Sequence, residues 1–187
     1  MSQIIFLNGC GSSGKTSIAR AIQHLSIKPW LTFGVDTFIA MAASRHLSEY
    51  VRFVPGNNER GQTMRVDNGP QANQLFGQMP AFARLMADGG SNLIIDEVLL
   101  DDVILQKYLM ALKDHTIYFV GVFCALPTME ERKVLRGDRA IGLSNDQIDR
   151  VHQGLRNYDL TVDTTHLSSF GAARQILAFI ERKPQTS

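Results

Sequence analysis

The chain is predicted to be an α/β protein, a three-layer, doubly wound fold on a parallel sheet of five strands. Three observations lead there. Continuously apolar runs such as Leu93-Ile94-Ile95 and Ile117-Tyr118-Phe119-Val120 lack the alternation of a half-exposed strand and suit strands covered on both faces. Stretches with apolar residues at helical spacing separate those runs. Acidic and glycine-rich residues gather where strands give way to helices, at the carboxyl edge where such sheets hold ligands.

Residues 3–8 are the first predicted strand, and a helix follows the glycine-rich turn at 9–14 as far as about Ser26, before Lys28-Pro29. Residues 30–35 read as the second strand, ending at Asp36, with a helix from Thr37 to about Arg45. Residues 51–69 change character, within an insertion at about 44–69. There Gly56, Asn57, Asn58, Gly61, Asn68 and Gly69 punctuate short β-like pieces at 51–54 and 64–66, an irregular hairpin inserted at one edge. Pro70 suits the first turn of a long helix reaching Ala87, with Leu75, Phe76, Met79, Phe82, Ala83 and Met86 on one stripe. Strands at 92–97 and 116–123 flank a helix from Val103 to about Lys113. A helix from Pro127 to about Leu135 runs into Arg136-Gly137-Asp138-Arg139, and Ser144 is expected to cap another through about Leu155. A last strand at 159–162 and a helix from Phe170 to Arg182 complete the pattern, with a frayed tail at 183–187. No repeat or linker divides the chain, so residues 1–187 are expected to form one domain with a small arginine-bearing lid at about 136–144.

The glycine-rich turn matches G-x-x-x-x-G-K-[ST] at Gly9, Gly14, Lys15 and Thr16. A phosphate chain needs several backbone N–H groups pointing inward, so the turn must lack bulky side chains; Gly9, Cys10, Gly11, Ser12, Ser13 and Gly14 allow that. Lys15 supplies a mobile cation for the β and γ phosphates of ATP, and the Thr16 hydroxyl suits Mg²⁺. The positive end of the following helix adds to the same anion site.

Composition excludes several classes. Hydrophobic residues make up 44% and charged residues 20% of the 187, the balance of an ordinary globular protein. A net charge of +1 supplies no field for nucleic acid or an anionic membrane. No apolar run is long enough to span a bilayer, and no secretory signal pattern opens the chain, so a cytoplasmic location is expected. Cys10 and Cys124 form neither a disulfide framework nor a ligand cluster, and no pair of histidines has metal-ligand spacing.

Three groups at the strand ends could carry chemistry. Asp36 stands after the second strand, either as a carboxylate that aligns and deprotonates an acceptor hydroxyl or as a helix N-cap. Asp96 closes an apolar strand as an acid able to hold Mg²⁺ opposite Thr16, while Glu97 faces another way, toward an acceptor pocket or a loop amide. Arg132, Arg136 and Arg139 recur at helical spacing; their guanidinium groups either stabilise charge on a transferring phosphoryl group or form a solvated face. Asp163, Thr164 and Thr165, after the last strand, are candidates for holding an adenine through backbone and hydroxyl groups. Arg132 is left without a role.

The chain resembles the chloramphenicol phosphotransferases. The resemblance runs through Ile5-Phe6-Leu7-Asn8-Gly9 and Ser12-Ser13-Gly14-Lys15, then Pro29-Trp30-Leu31 and Phe33-Gly34-Val35-Asp36. It continues through Ile94-Ile95-Asp96, Arg136-Gly137-Asp138-Arg139 and Val162-Asp163-Thr164-Thr165-His166. It implies a P-loop kinase-like fold and transfer of the γ phosphate of ATP to a hydroxyl, as bacterial members do to the antibiotic in conferring resistance. It also implies Asp36 as base, Lys15 as phosphate lysine, and Arg136 and Arg139 as lid arginines. Two departures stand out. The 44–69 insertion is more polar than an aryl, dichloroacetyl substrate would suggest, and Glu97 stands where the family has a second aspartate.

The expected activity is thus ATP- and Mg²⁺-dependent phosphorylation of a small hydroxylated acceptor, chloramphenicol or a similar antibiotic. The rivals are a small-metabolite or nucleoside-type kinase of the same fold and, from another class, a slow ATP-hydrolysing switch or binding module. Association with a second copy of the chain is left open.

Overall fold

The structure is a computed structural model that describes residues 1–137, 141–154 and 157–182. Strand β1 (Gln3–Asn8) turns into helix α1 (Lys15–Leu25). Strand β2 (Trp30–Gly34), helix α2 (Val35–Ile39), a 3-10 turn at Ser44–His46 and helix α3 (Leu47–Tyr50) lead into a hairpin of β3 (Val51–Asn58) and β4 (Gly61–Asn68). Helix α4 (Pro70–Asp88), strand β5 (Asn92–Glu97), helix α5 (Asp102–Ala111) and strand β6 (Thr116–Phe123) follow. The described chain ends with helices α6 (Leu126–Arg136) and α7 (Leu143–Gln147), strand β7 (Leu160–Asp163) and helix α8 (Ser169–Arg182).

Five strands form one parallel sheet in the order β2-β5-β1-β6-β7, the doubly wound α/β arrangement the sequence predicts. Side chains of a strand alternate between faces, and β1 shows how both are filled. Ile5 and Leu7 join Ile18 and Ile22 of α1 and Ile176 of α8 on one side. Ile4 and Phe6 join Met79 and Ala83 of α4 and Leu105 and Tyr108 of α5 on the other. Burying both faces explains why these strands read as unbroken apolar runs. Among the described residues, no helix is long and apolar enough to cross a membrane.

The register places the site. Leu7 and Gly34 both pair with Asp96, so β1, β2 and β5 end in line and release the residues after them onto one edge. A Cβ on Gly34 would lie 2.1 Å from the Asp96 carbonyl oxygen, so only glycine permits this approach.

Three elements differ from expectation. Strand β2 stops at Gly34, one residue short of the expected end, and α2 is a single short helix, so Asp36 lies within its first turn rather than before it. The inserted hairpin is regular, with eight residues in each strand paired from Val51↔Asn68 to Asn58↔Gly61. Pro55 and Gly56 are tolerated because each strand of a two-stranded ribbon has a free edge, where a missing N–H leaves no partner unsatisfied. Ser144 does not cap a helix: Gly142, at φ +86, starts α7, which ends at Gln147, and the Ser144 hydroxyl is drawn to the Gly11 carbonyl.

Candidate active site

The turn between β1 and α1 forms an anion cradle. Ser12 at φ +65 and Gly14 at φ +97 take left-handed backbone, which curls the loop and turns its amides inward. The Ser12 and Ser13 hydroxyls are buried without a hydrogen-bond partner among the described residues, the state expected of groups shaped for an outside ligand. Lys15 Nζ lies 3.0 Å from the carbonyl oxygens of Gly9 and Cys10 and 3.5 Å from Asp96 Oδ1, beside the loop it would serve. Cys10 contributes main chain only. Its thiol packs with Met129 and Val151, and burial pushes it up to about 11.

The Thr16 hydroxyl donates to Asp96 Oδ2 at 2.6 Å, so the two oxygens predicted to share a hard cation are adjacent, across 80 residues of sequence. The donor set fits Mg²⁺: one hydroxyl and one carboxylate beside a phosphate cradle leave the remaining positions to phosphate and water. Glu97, the next residue, is buried and also borders the cavity. Its Oε1 accepts the Tyr108 hydroxyl at 2.9 Å, and its carbonyl accepts the Gly9 N–H at 3.4 Å. Burial pushes its carboxyl up from 4.5 to about 7, against the lowering effect of the Tyr108 hydrogen bond.

A cavity of about 840 Å³ joins the cradle to Asp36, Asp96 and Arg136. That volume suits a nucleotide tail together with a small acceptor. The N-cap reading of Asp36 fails, because Gly34 occupies that position; the Asp36 side chain lies on the cavity wall instead. The roof is the hairpin. Val51, Phe53, Val66 and Asn68 line the cavity, and they are opposed pairs on one face, Val51↔Asn68 and Phe53↔Val66. The expectation of a polar insertion therefore holds for composition but not for the face that matters: alternation sends Arg52, Arg65 and Asp67 outward. Phe76 and Met79 of α4 and Leu99, Leu100 and Ile104 beyond β5 extend the apolar wall.

The arginines divide. Arg136, at the end of α6, lines the cavity, whereas Arg139 lies outside the described residues. Arg132 donates to the Thr164 carbonyl at 2.7 Å, to its hydroxyl at 3.2 Å and to Cys124 Sγ at 3.3 Å, beside the phosphate loop. Thr164 is itself buried, its hydroxyl 2.6 Å from the Ser13 carbonyl oxygen, and Thr165 Oγ1 accepts the Ala125 N–H at 2.9 Å. Asp163 accepts the Thr165 N–H at 2.8 Å, and its bonds to Thr165 hold its carboxyl below the usual range. The Thr164 and Thr165 hydroxyls are thus engaged within the protein, as are the Thr164 carbonyl and N–H and the Thr165 N–H.

Sequence reasoning missed Ser144 and Gln147 of α7, which bind the Gly11 carbonyl and N–H. It also missed Lys133, fully buried against Glu130 at 2.8 Å, whose other carboxylate oxygen accepts the Gly142 N–H. Their sequence signal is a polar residue at a buried helical position, which the sequence alone does not reveal.

Residues 2–181 match the model of the family described as "Chloramphenicol phosphotransferase-like protein". The chain belongs to that family. The Mycobacterium tuberculosis protein named "Putative O-phosphotransferase Rv2636" is 28% identical over 181 residues, covering 93% of this family member and 80% of its own length. Among solved structures, the tunicamycin resistance protein of Deinococcus radiodurans is similar with a TM-score of 0.64 at 19% identity, covering 96% of each chain. The Mycobacterium tuberculosis APS kinase CysC, in complex with AMPPNP and APS, is similar with a TM-score of 0.63 at 15% identity, covering 96% of this chain and 98% of its own. These likenesses show the fold, that of P-loop kinases.

Proposed function

We propose that this chain is an ATP- and Mg²⁺-dependent O-phosphotransferase acting, as one domain, on a hydroxyl of a small molecule with an apolar body, such as chloramphenicol. One observation carries the reading: a carboxylate, Asp36, stands in the same cavity as the phosphate cradle, beneath an apolar roof. A nucleotide switch has no need of an apolar-roofed acceptor pocket with a carboxylate on its wall. A sugar-like acceptor would require more polar groups than this roof offers.

The amides of residues 12 and 14–16 and Lys15 bind the phosphates, and Thr16 with Asp96 would hold Mg²⁺. Residues 163–165 border the adenine. Mg²⁺ bound there neutralises phosphate charge. Asp36 accepts the acceptor's proton as its oxygen forms a bond to the γ phosphorus and the bond to the β–γ bridging oxygen breaks, releasing ADP. Arg136 neutralises charge on the transferring group, with Arg139 assigned the same role from the resemblance.

The test is ATP consumption with Mg²⁺, with and without chloramphenicol, with the product identified by mass. Asp36→Asn is expected to bind ATP nearly as wild type and to lose at least about a hundredfold in turnover, the scale of a general base. Near-normal turnover would remove Asp36 from that role, and nucleotide binding without product would discard chloramphenicol as the acceptor.

A further inference from the structure

Helix α7 bonds both the phosphate loop and the far end of the hairpin that roofs the cavity. On the nucleotide side, the Gly11 N–H donates to Gln147 Oε1 at 2.8 Å, and the Gly11 carbonyl accepts the Ser144 hydroxyl at 2.7 Å. Both side chains are buried. On the acceptor side, the Asn145 carboxamide forms a reciprocal pair with that of Asn58 at 3.2 Å, donates to the Gln62 carbonyl at 3.0 Å and accepts Arg60 Nε at 2.9 Å. The Arg60–Asp149 ion pair and the Met64 N–H to the Gly142 carbonyl, 3.1 Å, close the same seam. Residues 144 and 147 share one side of the helix while 145 projects about 100° away, so one rigid turn carries both sets of bonds.

A buried amide that loses its acceptor bears its full desolvation cost, so Gly11 cannot depart from α7 cheaply. Nor can α7 shift without breaking the seam to the hairpin. We propose that Gln147 and Ser144 are positioning residues that hold the phosphate loop in its phosphate-accepting shape. Asn145 makes that hold depend on the docked hairpin, so the acceptor roof and the nucleotide cradle act as one unit. The inference rests on the reading of the loop as the ATP site. By reciprocity, whatever draws the hairpin closed over an acceptor tightens the grip on nucleotide.

Hydrogen–deuterium exchange of the ligand-free chain and calorimetric MgADP binding test it in wild type, Gln147→Leu and Asn145→Ala. Gln147→Leu is expected to raise exchange in residues 9–14 and weaken MgADP about tenfold, the scale of one buried hydrogen bond. Asn145→Ala, which removes the Asn145 side-chain bonds to the hairpin and none to the loop, is expected to raise exchange in 56–64 and in 9–14, and to weaken MgADP about threefold or more. Exchange rising in the hairpin alone, with the loop and MgADP affinity unchanged, would overturn the coupling. If Asn145→Ala does not fold, Arg60→Gln on the exposed side of the seam is read by the same two outcomes. A wild type that fails to bind MgADP refutes the nucleotide reading instead, and the exchange comparison still decides the coupling.

Discussion

Glu97 offers a perturbation whose size follows from its surroundings. Glu97→Gln removes the titrating group while keeping a side chain of the same shape that still accepts the Tyr108 hydroxyl. In the wild type, burial raises the carboxyl from 4.5 to about 7, so the folded state holds this proton more tightly than the unfolded chain does. Its contribution to stability is complete below about pH 4.5 and lost as pH rises through about 7. At roughly 1.4 kcal/mol per pH unit, that rise amounts to about 3 kcal/mol. The Gln variant has no such loss. Its stability relative to wild type should therefore improve by about 3 kcal/mol between about pH 4.5 and about pH 8. Urea unfolding of both proteins across that range, without nucleotide or Mg²⁺, measures the difference. A difference constant to within about 0.5 kcal/mol would show that the Glu97 carboxyl titrates near its ordinary value, and the burial argument would fall.

Two further outcomes are expected. Gly34→Ala places a methyl 2.1 Å from the Asp96 carbonyl and should cost about 1–3 kcal/mol in chemical denaturation, with turnover falling as the ends of β2 and β5 part. With its pKa pushed up to about 11 by burial, the Cys10 thiol should resist alkylation at about pH 8 until the chain unfolds, whereas the half-buried Cys124 reacts in the folded state. Mass mapping of the labelled cysteines would refute this if Cys10 were modified first.

The sequence by itself determined the sheet and the phosphate loop, because both are written in contiguous residues. A strand buried on two faces must be apolar throughout, as in 93–95 and 117–120, and a loop that cradles phosphate must place its glycines, lysine and threonine at set intervals. Asp96 and Asp36 were legible as strand-end acids, since the carboxyl edge of a parallel sheet is where such folds converge.

Tertiary structure alone decided the rest. The 44–69 insertion looked polar because composition averages its two faces; only the paired register shows that Val51, Phe53 and Val66 turn inward. Ser144 read as a helix cap and Gln147 drew no notice, yet both meet Gly11, more than 130 residues earlier in the chain. Thr164 looked like a base-binding hydroxyl and instead meets the Ser13 carbonyl. A hydroxyl or carboxamide bonds whichever partner the fold brings within about 3 Å, and nothing local in the sequence encodes which one arrives. Backbone preference and hydrophobic period are local and can be read in order along the chain; the pairing of polar side chains is not, and exists only once the layers have packed.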